Sequence, residues 1–207
     1  MKILLKSVVF TFILGIFSVA NGQIYAYSQP RVAFGASTAM FRISLDDFEN
    51  VYSNRWGPSY GAFFAVRAFG GNYVLLKYNN FKRSGKDGVH PVSNANLANA
   101  RWNENWYAIG LRLHPPIERK FGSYYGFGIV FFDVNEEKDL TIFETSPNDE
   151  VGNGFFLELG IEYFPVSKMA LFFETEISSG GIHGKTGFES MSIGGFRIAA
   201  GINFWPF

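Results

Sequence analysis

The amino-acid pattern predicts an all-β fold, an eight-stranded antiparallel transmembrane β-barrel built as an up-and-down meander after a signal peptide. Three observations carry this reading. Eight segments alternate apolar with polar or small residues, their connections alternate short and long, and a basic then apolar leader opens the chain. A β-strand turns successive side chains to opposite faces, so a period of two builds one apolar face. A bilayer offers no water to an open strand edge, so a spanning sheet must close on itself.

Lys2 and Lys6 precede an apolar run over residues 8–19 in which only Thr11 and Ser18 are polar. Ala20 and Gly22 then stand at −3 and −1 of a cut between Gly22 and Gln23, the layout of a secretory signal peptide. The run is shorter than the ~20 residues that a membrane-spanning helix needs. The expected organisation is a signal peptide over 1–22 and an outer-membrane barrel domain over 23–207.

The strands follow in order. Residues 31–42 place Phe34, Ala36, Thr38 and Met40 on one face and Gly35, Ser37 and Ala39 on the other. Residues 60–69 set Tyr60, Ala62, Phe64 and Val66 against Gly61, Phe63 and Arg67, and after the turn at 70–72 Val74, Leu76 and Tyr78 oppose Leu75, Lys77 and Asn79. The fourth segment sets Tyr107, Ile109 and Leu111 against Trp106, Ala108 and Arg112, and the fifth sets Phe127, Ile129 and Phe131 against Gly126, Gly128 and Val130. In the sixth, Leu157, Leu159 and Ile161 oppose Phe156, Glu158, Gly160 and Glu162. Leu171, Phe173 and Ile177 oppose Glu174, Glu176 and Ser178 in the seventh, and Phe196, Ile198, Ile202 and Phe204 oppose Arg197, Gly201 and Asn203 in the eighth. Each span is about ten residues, enough for a tilted strand to cross a bilayer.

Residues 70–72, 115–120 and 165–168 are short and carry turn formers. Between them lie long polar stretches over 44–58, 84–101, 135–153 and 179–190. Outer-membrane barrels have short periplasmic turns and long external loops, so both termini are expected in the periplasm of a Gram-negative-type cell. The sequence stops at the eighth strand, and no peptidoglycan-binding tail is expected.

Composition agrees. Eighteen Lys and Arg balance eighteen Asp and Glu, so no net field argues for nucleic acid. Aromatic residues reach 18%, with 24 Phe, as suits a lipid-facing surface, and a mean hydropathy of +0.05 is what alternating strands average to. There is no cysteine, which excludes disulfides, thiolate nucleophiles and cysteine-ligated zinc. No cofactor is expected.

Chemistry could lie on the inward faces. Lys77, Glu158, Glu174 and Arg197 fall near mid-strand, with Glu162, Arg67 and Arg112 closer to the periplasmic end and Glu176 closer to the outside. A charge in a narrow barrel is costly unless paired and hydrogen-bonded. Strands six to eight are neighbours, so Glu158, Glu174 and Arg197 are expected to share a network with Lys77 reaching across. A polar plug or gate, or a carboxylate pair in acid–base work, competes with a satisfied polar core in a barrel too narrow for a channel, and the core is favoured.

Catalysis has weak support. A barrel that deacylates lipid A needs a strand-borne His-x-Ser beside a Glu. His90 is followed by Ser93 at the wrong spacing, and neither His114 nor His183 has a serine two residues on. The chain is read as no enzyme, without catalytic or metal residues. Asp46, Asp47 and Glu49, and Asp133, Glu136, Glu137 and Asp139, read as solvated acidic loops. Tyr60, Tyr73, Trp102, Tyr107, Phe121, Tyr163 and Trp205 fit interfacial girdles. A soluble lipocalin-type barrel would have an apolar lumen and polar exterior, whereas here the charges share a face with Gly, Ala and Ser.

The leader, the eight strands and the closing Gly201-Ile202-Asn203-Phe204-Trp205-Pro206-Phe207 resemble the small outer-membrane barrels of the OmpX, OmpW and OmpA-transmembrane type. The resemblance implies an outer-membrane location and a C-terminal assembly signal, Phe204, Trp205 and Phe207, met by the barrel-assembly machinery. Pro206 shifts the alternation by one residue before Phe207. The implied partners are outer-membrane lipids and lipopolysaccharide, with an unidentified extracellular partner, and the chain is expected to be a monomer. The functional expectation is an integral outer-membrane barrel with a narrow, charge-bridged lumen, acting in envelope structure or surface interaction through long external loops. A small-solute channel or a lipid A-modifying enzyme is the alternative. N-terminal sequencing of the protein from outer-membrane fractions should begin at Gln23, and retention of Lys2 and Lys6 would overturn the leader.

Overall fold

The structure, a computed structural model, describes residues 31–45, 48–87, 98–115, 120–138, 148–182 and 191–206. The leader with its Gly22/Gln23 junction, Asp46, Asp47, His90, Ser93, Asp139, His183 and Phe207 lie outside the described residues. Eight strands follow in chain order: β1 (Val32–Ile43), β2 (Trp56–Phe69), β3 (Asn72–Asp87), β4 (Ala98–Leu113), β5 (Phe121–Lys138), β6 (Asn148–Val166), β7 (Met169–Ile182) and β8 (Met191–Phe204). Each pairs antiparallel with its neighbour, and β1 closes on β8 with Phe34 opposite Phe204 and Arg42 opposite Phe196. The expected meander is the observed one. Closure leaves no open edge, as a spanning sheet requires.

Alternation decides which face goes where. Phe34, Phe64, Leu76, Ile109, Ile129, Phe173 and Ile202 stand out from the wall, with Leu159 53% and Ile161 61% exposed. Phe41, Leu75, Phe81, Trp106, Phe132 and Phe156 fill the bore, together with the charged residues. An apolar coat around a charged interior is the polarity of a membrane barrel and the reverse of a lipocalin.

The strands are longer than the ten residues expected, reaching 18 in β5 and 19 in β6. The two ends differ. At one, β2–β3 and β6–β7 close in tight turns, Gly70 taking φ 55° in the first and Val166 standing opposite Met169 in the second. At the other end the hairpins continue well past the apolar belt: Asp87 pairs with Ala98, and Glu136 with Asn148. The parts of these hairpins over 84–87, 98–101 and 135–138 read as loops in sequence because their outward residues (Ser84, Arg101, Asn135 and Glu137) are polar, as are Asn103, Asn105 and Asp133 next to them. Their inward residues (Trp102, Val134) remain apolar and buried, so the backbone ladder runs on without lipid. A short helix, α1 (Phe48–Tyr52), lies in the β1–β2 connection and buries Phe48 and Tyr52 over this end of the bore.

The girdle assignment needs correction. Tyr60, Tyr107, Phe121 and Tyr163 do face outward, but Tyr73, Trp102 and Trp205 are buried inside. Tyr73 and Trp102 sit on the inward parity of β3 and β4, and Trp205 turns in just after β8. Aromatic type alone does not tell the two faces apart.

Because the wall at mid-height faces lipid, Leu159→Arg should cost ~2–4 kcal/mol of folding free energy in bilayers. Urea titration of folding into phospholipid vesicles measures this, and Glu137→Lys, beyond the apolar belt, should stay within about 0.5 kcal/mol of wild type.

Candidate functional site: the charged lumen

Glycines and small residues on the inward faces of β2, β5 and β6 leave room at mid-height, and long charged side chains from β3, β4 and β6–β8 fill it. A Cβ on Gly126 would stand 2.6 Å from Glu158 Oε1, and one on Gly160 2.1 Å from the Tyr124 ring. The missing side chains make space for those groups.

Lys77 Nζ donates to three carboxylates: Glu158 Oε2 at 2.7 Å, Glu174 Oε1 at 2.5 Å and Glu176 Oε2 at 2.5 Å. Arg112 donates from Nε to Glu158 Oε1 at 2.6 Å and from Nη2 to Glu174 Oε2 at 3.1 Å. Arg197 donates to Glu174 Oε1 at 3.1 Å and to the Ser37 hydroxyl at 2.6 Å, while Tyr124 caps Glu174 Oε2 at 2.8 Å. All six ionic side chains are buried, and three cations meet three carboxylates. The Arg112 guanidinium also lies over the rings of Phe63 and Tyr124, 4.4 and 4.1 Å from their centroids. Buried charges persist where opposite charges and hydrogen bonds replace the lost water, as they do here.

Oxygens of Glu158, Glu174 and Glu176 lie within 4.8 Å of one another, a spacing that could hold a metal ion. The Lys77 ammonium bonds all three and supplies the cation itself.

Aromatic layers lie on either side. Toward α1, Trp106 packs edge-on to Phe41 and Phe132, and Phe48 packs on Tyr52, Phe81 and Trp102. Within this layer the buried Glu104 carboxylate accepts both indole N–H groups, from Trp102 at 3.1 Å and Trp106 at 2.5 Å. At the short-turn end, His114 is boxed in by Tyr73, Tyr124 and Trp205. There His114 Nδ1 lies 3.7 Å from Glu162 Oε2, and Asn203 donates to Glu162 Oε1.

The structure thus brings together Lys77, Glu158, Glu174, Arg197 and Arg112. It separates the other two lumen residues singled out in the sequence. Glu162 belongs to the His114–Asn203 group one layer lower, and Arg67 sits half-buried opposite Tyr73, outside the ion pairs of the central network. Glu176, read as lying closer to the outside, reaches in to Lys77. Glu104, Tyr124 and Ser37 were missed as partners. Inward parity marked all three, but not which neighbours they would meet. Of the terminal aromatics, Phe204 faces outward and stacks on Phe34 at 5.6 Å, while Trp205 is buried.

Solved structures share this architecture. The chain aligns with Neisserial surface protein A (TM-score 0.55, 12% identity, 84% of this chain and 96% of that one). It aligns similarly with OprG of Pseudomonas aeruginosa (0.54, 12%, 85% and 96%) and with Ail of Yersinia pestis, solved with the heparin analogue sucrose octasulfate (0.53, 12%, 85% and 99%). No family model and no curated protein sequence matches the chain. The fold is that of the small eight-stranded outer-membrane barrels. In this chain the lumen holds the cluster of three cations and three carboxylates.

Removing one partner of the cluster leaves a buried charge uncompensated, so Arg112→Ala and Glu158→Ala should each cost ~3–5 kcal/mol in urea-induced unfolding. The double variant should cost clearly less than the sum, because both replacements remove the same contact. Additive losses would mean that the two side chains do not share an interaction.

Proposed function

We propose that the chain is an integral outer-membrane barrel of a Gram-negative-type cell, with a closed lumen, that works in envelope structure or surface interaction through its external face. The observation that carries this is the filled bore. A self-neutralised cluster of Lys77, Arg112, Arg197, Glu158, Glu174 and Glu176 lies between two aromatic layers, with α1 packed over one end.

The location rests on the apolar coat, the closed sheet and the leader. With an even strand number, the start of β1 and the end of β8 both lie beside the tight turns, and the extended hairpins lie opposite. The proposed orientation puts the turns in the periplasm and the hairpins of β3–β4 and β5–β6 outside, as outer-membrane barrels place their long connections. The exposed Phe204 would serve the assembly signal, with lipids and lipopolysaccharide around a monomeric wall. The paired ladders carry this face out as far as Asp87, Ala98, Lys138 and Asn148.

The channel alternative needs water to pass three layers of interlocked side chains, and it is disfavoured because the three cations and three carboxylates at mid-height pair with one another across the bore. The enzymatic alternative needs a nucleophile and base on one accessible surface. His114 instead lies among aromatic rings at the inner floor.

Refolded mature protein in planar lipid bilayers should show no steady single-channel current. Large, steady conductance from the wild-type chain would overturn the closed lumen and promote transport.

A further inference from the structure

One buried charge in the bore differs from the rest. Glu158, Glu174 and Glu176 each meet a lysine or arginine, and Glu162 lies beside His114. Glu104, fully buried in the aromatic layer on the side of α1, pairs with no described lysine or arginine. Its two oxygens accept the indole N–H groups of Trp102 and Trp106, one each. That pattern belongs to the ionised form, because the O–H of a protonated carboxyl would face a donor instead of an acceptor. An ionised carboxylate buried without a cation is costly. The layer is short of one positive charge.

The rings around Glu104 mark where that charge fits. Phe48 of α1 fills the outer part of the layer, and from its ring centre the centroids of Tyr52, Trp102 and Phe81 lie 4.3, 5.5 and 6.3 Å away. A cation in place of that ring would stand close to the ~6 Å range over which aromatic faces attract positive charge. Tyr52 already turns its face to this spot, since its ring stacks on Phe48 at 22°. Trp102 carries the hydrogen bond to Glu104, so the countercharge lies one side chain away. Phe48 is also the part best placed to move. It opens a helix of five residues whose Glu49 and Asn50 are exposed, and the helix runs into Ser53 with φ 62°, a left-handed conformation that is strained for serine. The tie to the far wall, from the Tyr52 hydroxyl to Glu136 Oε1 at 3.0 Å, is at the other end of the helix. Phe48 can swing out while the Tyr52 ring stays.

We propose that the α1 end of the bore is an aromatic cage for one small organic ammonium ion, which replaces the Phe48 ring over Tyr52, Trp102 and Phe81 with Glu104 as its countercharge. Each part of the ligand answers a part of the cage. The positive charge compensates the buried carboxylate, and methyl or methylene groups pack on the rings that Phe48 now covers. A neutral molecule of the same shape would fill the space and leave Glu104 uncompensated. The site deepens the reading of the external face as a binding surface and takes its side of the membrane from that reading, whereas binding itself does not depend on the side.

The test uses refolded mature protein in dodecyl maltoside, titrated with choline and with its uncharged isostere 3,3-dimethylbutan-1-ol, and followed by calorimetry and tryptophan fluorescence. Wild type should bind one choline saturably and the isostere about tenfold more weakly. Glu104→Gln, which keeps the shape and removes the charge, should lose about tenfold in choline affinity. Phe48→Ala, which vacates the cage, should gain about threefold, because no ring has to leave first. Unheated gel mobility checks that each variant is folded, and Phe48→Ala with the choline–isostere pair decides the matter if Glu104→Gln does not fold. Absence of saturable choline binding by wild type, equal binding of choline and isostere, or unchanged affinity in the folded variants overturns the cage. The cysteine-free chain allows a separate reading of orientation. Ser84→Cys should react with an impermeant maleimide on intact cells, and failure to react would overturn the orientation while leaving the choline titration to judge the cage.

Discussion

Everything inside this barrel depends on neutralising charge where water cannot. Glu174 shows how tightly the requirement is met: its two oxygens accept from Lys77, Arg112, Arg197 and Tyr124, so the cluster holds β3, β4, β5, β7 and β8 to one centre. Such pairing is weak evidence for net stability, since well-packed apolar side chains of the same volume would often do as well. Its consequence is specificity. A slip of β3, β4, β7 or β8 by one residue would turn a buried charge toward lipid and an apolar side chain toward the cluster.

The cluster also explains the distribution of small residues. Gly126 and Gly160 face the bore where Glu158 and Tyr124 need their space, and large aromatic rings resume above and below. The interior is therefore graded: the aromatic layer with Glu104, the ionic centre, and the His114–Glu162 floor. A barrel of this size has room for side chains only, and charge, ring and amide groups share it without leaving a bore.

Outside, the requirement is reversed. The wall is mostly apolar over the belt, with a groove at Ala62 and the Asn80–Asn103–Asn105 amides beyond it. Inner and outer faces meet in the same strands, β3 carrying Lys77 inward to the cluster and Leu76 and Tyr78 outward to the groove.

The sequence by itself determined the fold, the strand phase and the topology. A period of two records facing directly: Glu158 could be placed inside and Leu159 outside from their order alone. It also put Lys77, Glu158, Glu174 and Arg197 at one depth. What it did not determine was height and reach. The ends of the polar stretches, 98–101 and 135–138, read as loops because water-facing strand and loop have the same composition, and only backbone pairing distinguishes them. Trp102, Tyr73 and Trp205 looked like girdle residues because an aromatic ring suits either an interface or a packed bore. Arg112, Glu162 and Arg67 read as one lumen set and Glu176 as lying closer to the outside, but side-chain length and tilt decide that Arg112 and Glu176 join the cluster while Glu162 lies a layer below and Arg67 outside it. Parity is local and written in the chain. Which side chains meet across a bore follows from closure and shear, which exist only once β1 has met β8.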